Sequence, residues 1–236
     1  MNLESTHIAN PFHQRFAIII ALATSILTIF TFIIAIMTPP LSGPFCAGDC
    51  FEYPYLDIAE RFPRDYLWMF PAIILTLLYL VLVTSLYEYA PLTQKIFGRL
   101  GLAFAVIATG TLVVNYFVQI SVIQPSVLRG EADGISILTQ YNDHGLFIAL
   151  EEIGYILMSL SFLCLAGVFT RGLKGEGFMK WMFIASFILV MLSLLIISII
   201  YGTERSYIFE IVVISVNWLV LIIGGFLLAG VFGRVG

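Results

Sequence analysis

The stretch FAIIIALATSILTIFTFIIAIM, residues 16–37, runs for 22 positions without one ionisable side chain. A helix rises about 1.5 Å per residue, so a run of this length reaches across the ~30 Å hydrocarbon core of a bilayer. The apolar region of a cleaved signal peptide is about 7–15 residues, and the longer run here is expected to remain as a helix. Five further apolar windows follow, at 67–87, 100–123, 146–169, 178–201 and 208–232. Helix breakers separate them: Pro39, Pro40, Gly43 and Pro44, then Pro91 and Gly98, Pro125, the glycines 172, 175 and 177, and Gly202. Strand-like alternation of apolar and polar residues, the mark of a membrane barrel, is absent. The chain is predicted to be all-α, a single membrane domain over residues 1–236 built as a bundle of six transmembrane helices.

Composition agrees. Of the 236 residues, 60% are hydrophobic and 11% charged, whereas a soluble domain carries about 25% charged residues. The mean hydropathy is +1.02. Too little polar surface remains to cover a globule in water, so membrane lipids are the expected surroundings. The net charge of −4 comes with no basic run and no interleaving of basic and aromatic residues. Nucleic-acid binding is set aside on that ground, and no cofactor or metal is expected.

Lysine and arginine orient such a chain, being enriched on the cytoplasmic side. With the N-terminus inside, Arg15, Lys95, Arg99, Arg171, Lys174, Lys180 and Arg234 are internal, while Arg61, Arg64, Arg129 and Arg205 are external. Seven against four favours a multi-pass protein of the cell membrane with both termini cytoplasmic. Two long connections are then external. The first, residues 38–66, carries Phe45, Phe51, Tyr53, Tyr55, Phe62 and Tyr66. These aromatics suit an interfacial belt at the headgroups, or a lid packed over the bundle. Cys46 and Cys50 share this loop, and an oxidising exterior makes a local disulfide the expected state. A metal site would need further ligands, and only His144 lies on the same side. Cys164, inside the fourth span, reads as a small buried apolar residue. The second external loop has an apolar patch at Ile135, Ile137 and Leu138, which suits a short surface or re-entrant helix.

Ionisable groups inside a span are costly and generally face the bundle interior or a wet cavity. Glu151 and Glu152 lie roughly 8 and 9 Å below the external end of the fourth span, counted at 1.5 Å per residue. Gln119 is about 6 Å deep and Asn115 about 12 Å on the third span, with Glu210 about 3 Å and Asn217 about 14 Å on the sixth. Carboxylates and carboxamides thus concentrate in the external half. His144, Ile148, Glu151 and Tyr155 fall on one face of the fourth helix. Neighbouring residues of a helix point about 100° apart, so Glu151 and Glu152 diverge. The candidate ligand-binding set is Glu151, Glu152, Asn115, Gln119, His144, Asn217, Glu210 and Tyr155, around a pocket walled by the third, fourth and sixth spans. For each carboxamide the plainer role is interhelical hydrogen bonding.

Residues 115–163, NYFVQISVIQPSVLRGEADGISILTQYNDHGLFIALEEIGYILMSLSFL, resemble a family of prokaryotic multi-span membrane proteins of about six helices. The resemblance implies a helical membrane bundle and no activity. From the residues themselves, the leading expectation is binding or transport of a small polar or amphiphilic molecule, or a lipid, through an outward-facing polar pocket. The alternatives are a lipid-modifying enzyme using Glu151 and His144 as an acid–base pair, and a scaffold or accessory subunit docked through its aromatic loop. Protein partners and self-association stay open.

Overall fold

The computed structural model describes residues 11–38, 40–43 and 45–234. The described chain is helical, with no strand. Its helices are α1 (Pro11–Met37), α2 (Met69–Tyr89), α3 (Lys95–Val118), α4 (Gln124–Leu128), α5 (Ile135–Leu138), α6 (Leu146–Leu165), α7 (Glu176–Tyr201) and α8 (Ser206–Phe232). Among the described residues, six helical stretches are long and apolar enough to cross a membrane. Their bounds follow the predicted windows closely, except at the third, which runs over Leu92–Leu128, 37 residues in all. Pro125 was expected to end that helix. Instead a π turn, Gln119–Ile123, precedes it, with the Gln124 N–H bonded back to Gln119 O. The wider turn accommodates the proline ring, which in a regular helix clashes with the carbonyl four residues back.

Helix α1 packs on α2 and α8, α2 on α3, α3 on α6, and α6 on α8, closing a ring. Helix α7 sits outside it, against α6 and α8. The burial pattern is that of a protein whose solvent is lipid. On α1 the polar Thr24, Ser25, Thr28 and Thr31 are buried, while Ile19, Ile26 and Ile33 are exposed by more than half. The three threonines donate back to their own helix, to Ile20 O, Thr24 O and Leu27 O at 2.8, 2.6 and 2.8 Å. Their hydroxyls are thereby satisfied where no water can reach. Such a helix would be inside-out in water.

With no gain from hiding apolar surface, helices in lipid are held by close packing at small residues and by bonds between helices. The α1–α8 contact shows both. Ser25 Oγ donates to Ile222 O at 2.8 Å, and beside it a Cβ on Gly225 would collide with Ala21 O and Ser25 Oγ. The backbone carbonyl has no rotamer by which to withdraw. Gly225→Ala is therefore expected to destabilise the protein by about 1–3 kcal/mol, the range for overpacking. Thermal unfolding in detergent checks this, and an unchanged midpoint would show that α1 and α8 are free to separate.

One end of the bundle is capped by the long connections 38–68 and 129–145; the other holds the start of α1 and the end of α8. The capping is physical. Ile58 is fully buried, Phe51 meets Tyr141 edge-on at 5.1 Å, and Phe45 packs on Tyr207 at 5.8 Å. Part of the first loop is thus a lid, while Tyr53 and Phe62 stay exposed at 73% and 41%. In the second loop α5 is a single turn that buries Ile135 and exposes Ile137. At the opposite end, buried Glu176 opens α7, accepting from the Tyr89 hydroxyl and from Leu173 N–H at 3.2 Å.

Candidate functional site

Toward the loop-capped end from the close α1–α8 contact at Gly225, the two helices border a cavity of about 420 Å³. That size lies within the usual range for small-molecule sites, about 300–1,000 Å³. The walls come from α1, α6 and α8, with the two capping loops as roof. Ile36 of α1 and Ile211 of α8 both line the cavity and are exposed, at 70% and 44%. The opening therefore lies on the side of the bundle, between these helices. Aromatic rings of Phe45, Trp68, Tyr207 and Trp218 border the space. Among the described residues, its lining holds three acids, Asp65, Glu151 and Glu210, and no lysine, arginine or histidine.

The carboxyls at this end divide by partner. Asp65 accepts from Arg61 Nε at 2.9 Å and from the Tyr141 hydroxyl at 2.8 Å. Burial, with Tyr66 and Asp65 alongside, pushes the Tyr141 hydroxyl well above the ordinary tyrosine range, so it remains a donor. Glu152 turns away from the cavity and accepts from Arg205 Nη1 at 3.1 Å. Glu151 and Glu210 have no cationic partner among the described residues. Both border the cavity, Glu151 from α6 and Glu210 from α8.

Behind Glu151 runs a chain of donors. Trp218 Nε1–H donates to the Tyr155 hydroxyl at 3.0 Å. The Tyr155 and Tyr116 hydroxyls are 3.0 Å apart, and Tyr116 donates to Glu151 Oε1 at 2.6 Å. An indole N–H can only donate, so Tyr155 receives from Trp218; with the Tyr116 hydrogen given to Glu151, the hydrogen between the two phenols comes from Tyr155. Glu151 is thus held as an acceptor by residues from α3, α6 and α8.

The predicted site residues separate accordingly. Glu151 and Glu210 face the cavity, Tyr155 supports them from behind, and Glu152 is an ion-pair partner at the side. Asn115 Nδ2 donates to Phe147 O at 2.9 Å, and Asn217 Nδ2 to Tyr155 O at 3.1 Å and Val213 O at 2.8 Å. Gln119 bridges Leu138 O at 2.6 Å and Gln140 N–H at 3.0 Å. These carboxamides fasten helices and the second loop and do not border the cavity, so α1 replaces the third span as a wall. His144 stands on the exposed rim, its Nε2 3.4 Å from Asp143 Oδ1 and 3.9 Å from Glu204 Oε2. It is not among the residues bordering the cavity, where Glu151 stands. With Asp143 and Glu204 it brings three potential ligand atoms within 4.8 Å of one another, in an open surface cluster of charges. The sulfurs of Cys46 and Cys50 are at bonding distance, 2.03 Å, and Cys164 is free and half-buried.

Sequence reasoning missed Tyr116, Trp218, Asp65 and Arg205. The first two carried one usable signal. Each is a polar-tipped aromatic adjacent to a carboxamide of the polar layer, Asn115 or Asn217. No protein-family model, curated protein or solved structure matches the chain.

Proposed function

We propose that this is a membrane binding or transport protein for a small amphiphile that enters sideways from the lipid between α1 and α8. In this reading the polar head of the ligand rests at Glu151 and Glu210, and its apolar body lies along Phe32, Ile36, Ile211 and Ile214. The observation that carries it is a lateral, largely apolar cavity ending at the two carboxyls that lack a cationic partner. Apolar walls with a few convergent polar groups are the general form of a small-molecule site. We also place the loop-capped end outside the cell, with both termini and seven of eleven lysines and arginines in the cytoplasm. The lid and an oxidised Cys46–Cys50 pair then face the exterior.

Ala35 lines the cavity from α1, and Ala35→Trp takes up space there while both carboxyls stay in the chain. Native mass spectrometry on protein released from mild detergent tests the proposal. Wild type is expected to retain a bound amphiphile that the Ala35→Trp variant lacks. Equal ligand content in two folded proteins would overturn it.

A further inference from the structure

We propose that Asp143, His144 and Glu204 form a surface binding site for a divalent metal ion of the zinc class, which clips the second loop to the turn between α7 and α8. The site lies outside the cavity and is independent of the binding reading above.

The three ligand atoms are already gathered, within 4.8 Å of one another. His144 Nε2 is 3.4 Å from Asp143 Oδ1 and 3.9 Å from Glu204 Oε2. Zinc binds imidazole nitrogen at about 2.0–2.1 Å and carboxylate oxygen at about 2.0–2.2 Å, so at the tetrahedral angle two such ligands stand about 3.3–3.5 Å apart. The first separation fits as it stands. The second closes by a small rotation of the Glu204 side chain, which is 71% exposed. The fourth tetrahedral position is left to water, as in other zinc sites with three protein ligands.

Charge gives a second, independent reason. Two carboxylates stand together here, and among the described residues neither has a lysine or arginine within ion-pair distance. Arg205, next to Glu204 in the chain, is turned to Glu152 instead, at 3.1 Å. An imidazole offers a carboxylate positive charge only when both its nitrogens carry hydrogen. With one nitrogen free, its lone pair serves a metal, and the metal compensates both carboxylates at once.

Both limbs of the site are anchored by contacts that leave the ligand atoms free. His144 N–H donates to Asn142 Oδ1 at 3.0 Å, and Asn142 Nδ2 donates to Ser136 O at 2.6 Å. Glu204 belongs to the single turn Gly202–Arg205, fastened to α6 through the Arg205–Glu152 pair. Asp143 also lies against Gly43 of the first loop, beside Tyr207, so an ion held here braces the edge of the cavity roof. The imidazole selects the metal: zinc, cobalt, nickel and copper take nitrogen ligands, whereas calcium takes about six to eight oxygens.

Calorimetry on the full chain in maltoside micelles, free of any polyhistidine tag, tests the site with zinc chloride and calcium chloride. Wild type is expected to bind zinc more tightly than calcium. Its unfolding midpoint is expected to rise with zinc, since a ligand of the folded state stabilises it. Losing a group that merely orients a metal ligand costs about 10–100-fold in affinity, and His144→Ala, which removes a ligand, is expected to cost at least as much. Glu204→Gln is expected to weaken zinc binding while keeping the histidine. Both side chains are exposed, so without metal the two variants are expected to unfold at the wild-type midpoint. Zinc binding unchanged in His144→Ala overturns the site. Calcium bound as tightly as zinc also overturns it, as the mark of an unselective acidic surface. No zinc binding by wild type, with a midpoint that shifts with pH alone, overturns it in favour of a proton shared between His144 and its carboxylates.

Discussion

Trp218→Ala is expected to lower stability by about 3–5 kcal/mol, the range for removing a fully buried tryptophan. Trp218 is 1% exposed. Its ring meets Phe32 of α1 edge-on at 5.5 Å and its N–H holds Tyr155. Truncation therefore removes the packing that joins α8 to α1 beneath the cavity, and releases the donor chain behind Glu151. Trp218→Phe separates the two contributions. It keeps a ring against Phe32 and loses the N–H with part of the ring volume, so its effect is expected to fall between the about 1–2 kcal/mol of one buried hydrogen bond and the loss in Trp218→Ala. Reversible unfolding in mixed micelles measures both. Equal losses in the two variants would show that the hydrogen bond, and not the ring, carries the interaction.

The second large effect concerns the ion pair at the side of the cavity. Arg205→Ala leaves Glu152 with no cation, although its side chain is only 10% exposed and its Oε1 already has no protein partner. Breaking a buried pair costs about 3–5 kcal/mol. Arg205 is 30% exposed, and water reaching the pair reduces the expected loss to about 2 kcal/mol. Adding Glu152→Gln removes the orphaned charge and is expected to restore most of that stability. A double variant no more stable than Arg205→Ala would mean that Arg205 acts through its contact with Phe209, 5.7 Å from its guanidinium.

The spans were readable because a helix crossing lipid must be apolar over a fixed length, a property of each segment alone. The concentration of polar groups toward one end was readable for the same reason, since depth follows from counting residues. The divergence of Glu151 and Glu152 also followed from helix geometry. What a single sequence does not contain is the rotation of one helix against another. The carboxamides Asn115 and Asn217 were correctly suspected of fastening helices, but the same uncertainty made α3 a cavity wall in place of α1. Within the predicted span the polar groups of α1 are all hydroxyls, the threonines bonded to their own helix and Ser25 to α8, so nothing marked that span as bordering a site. Arg205 lies beyond the predicted fifth span and gives no local sign that it reaches Glu152, 53 positions away in sequence. Pro125 misled for a different reason: a π turn is a tertiary accommodation, and proline ordinarily means a helix end.

The donor chain ending at Trp218 also has a closed end. A file of hydroxyls can hand protons along only if each member can both receive and release one. An indole nitrogen offers no lone pair for the purpose, so the file is stoppered within the bundle. Along this file a hydrogen on Glu151 passes no further than Tyr155.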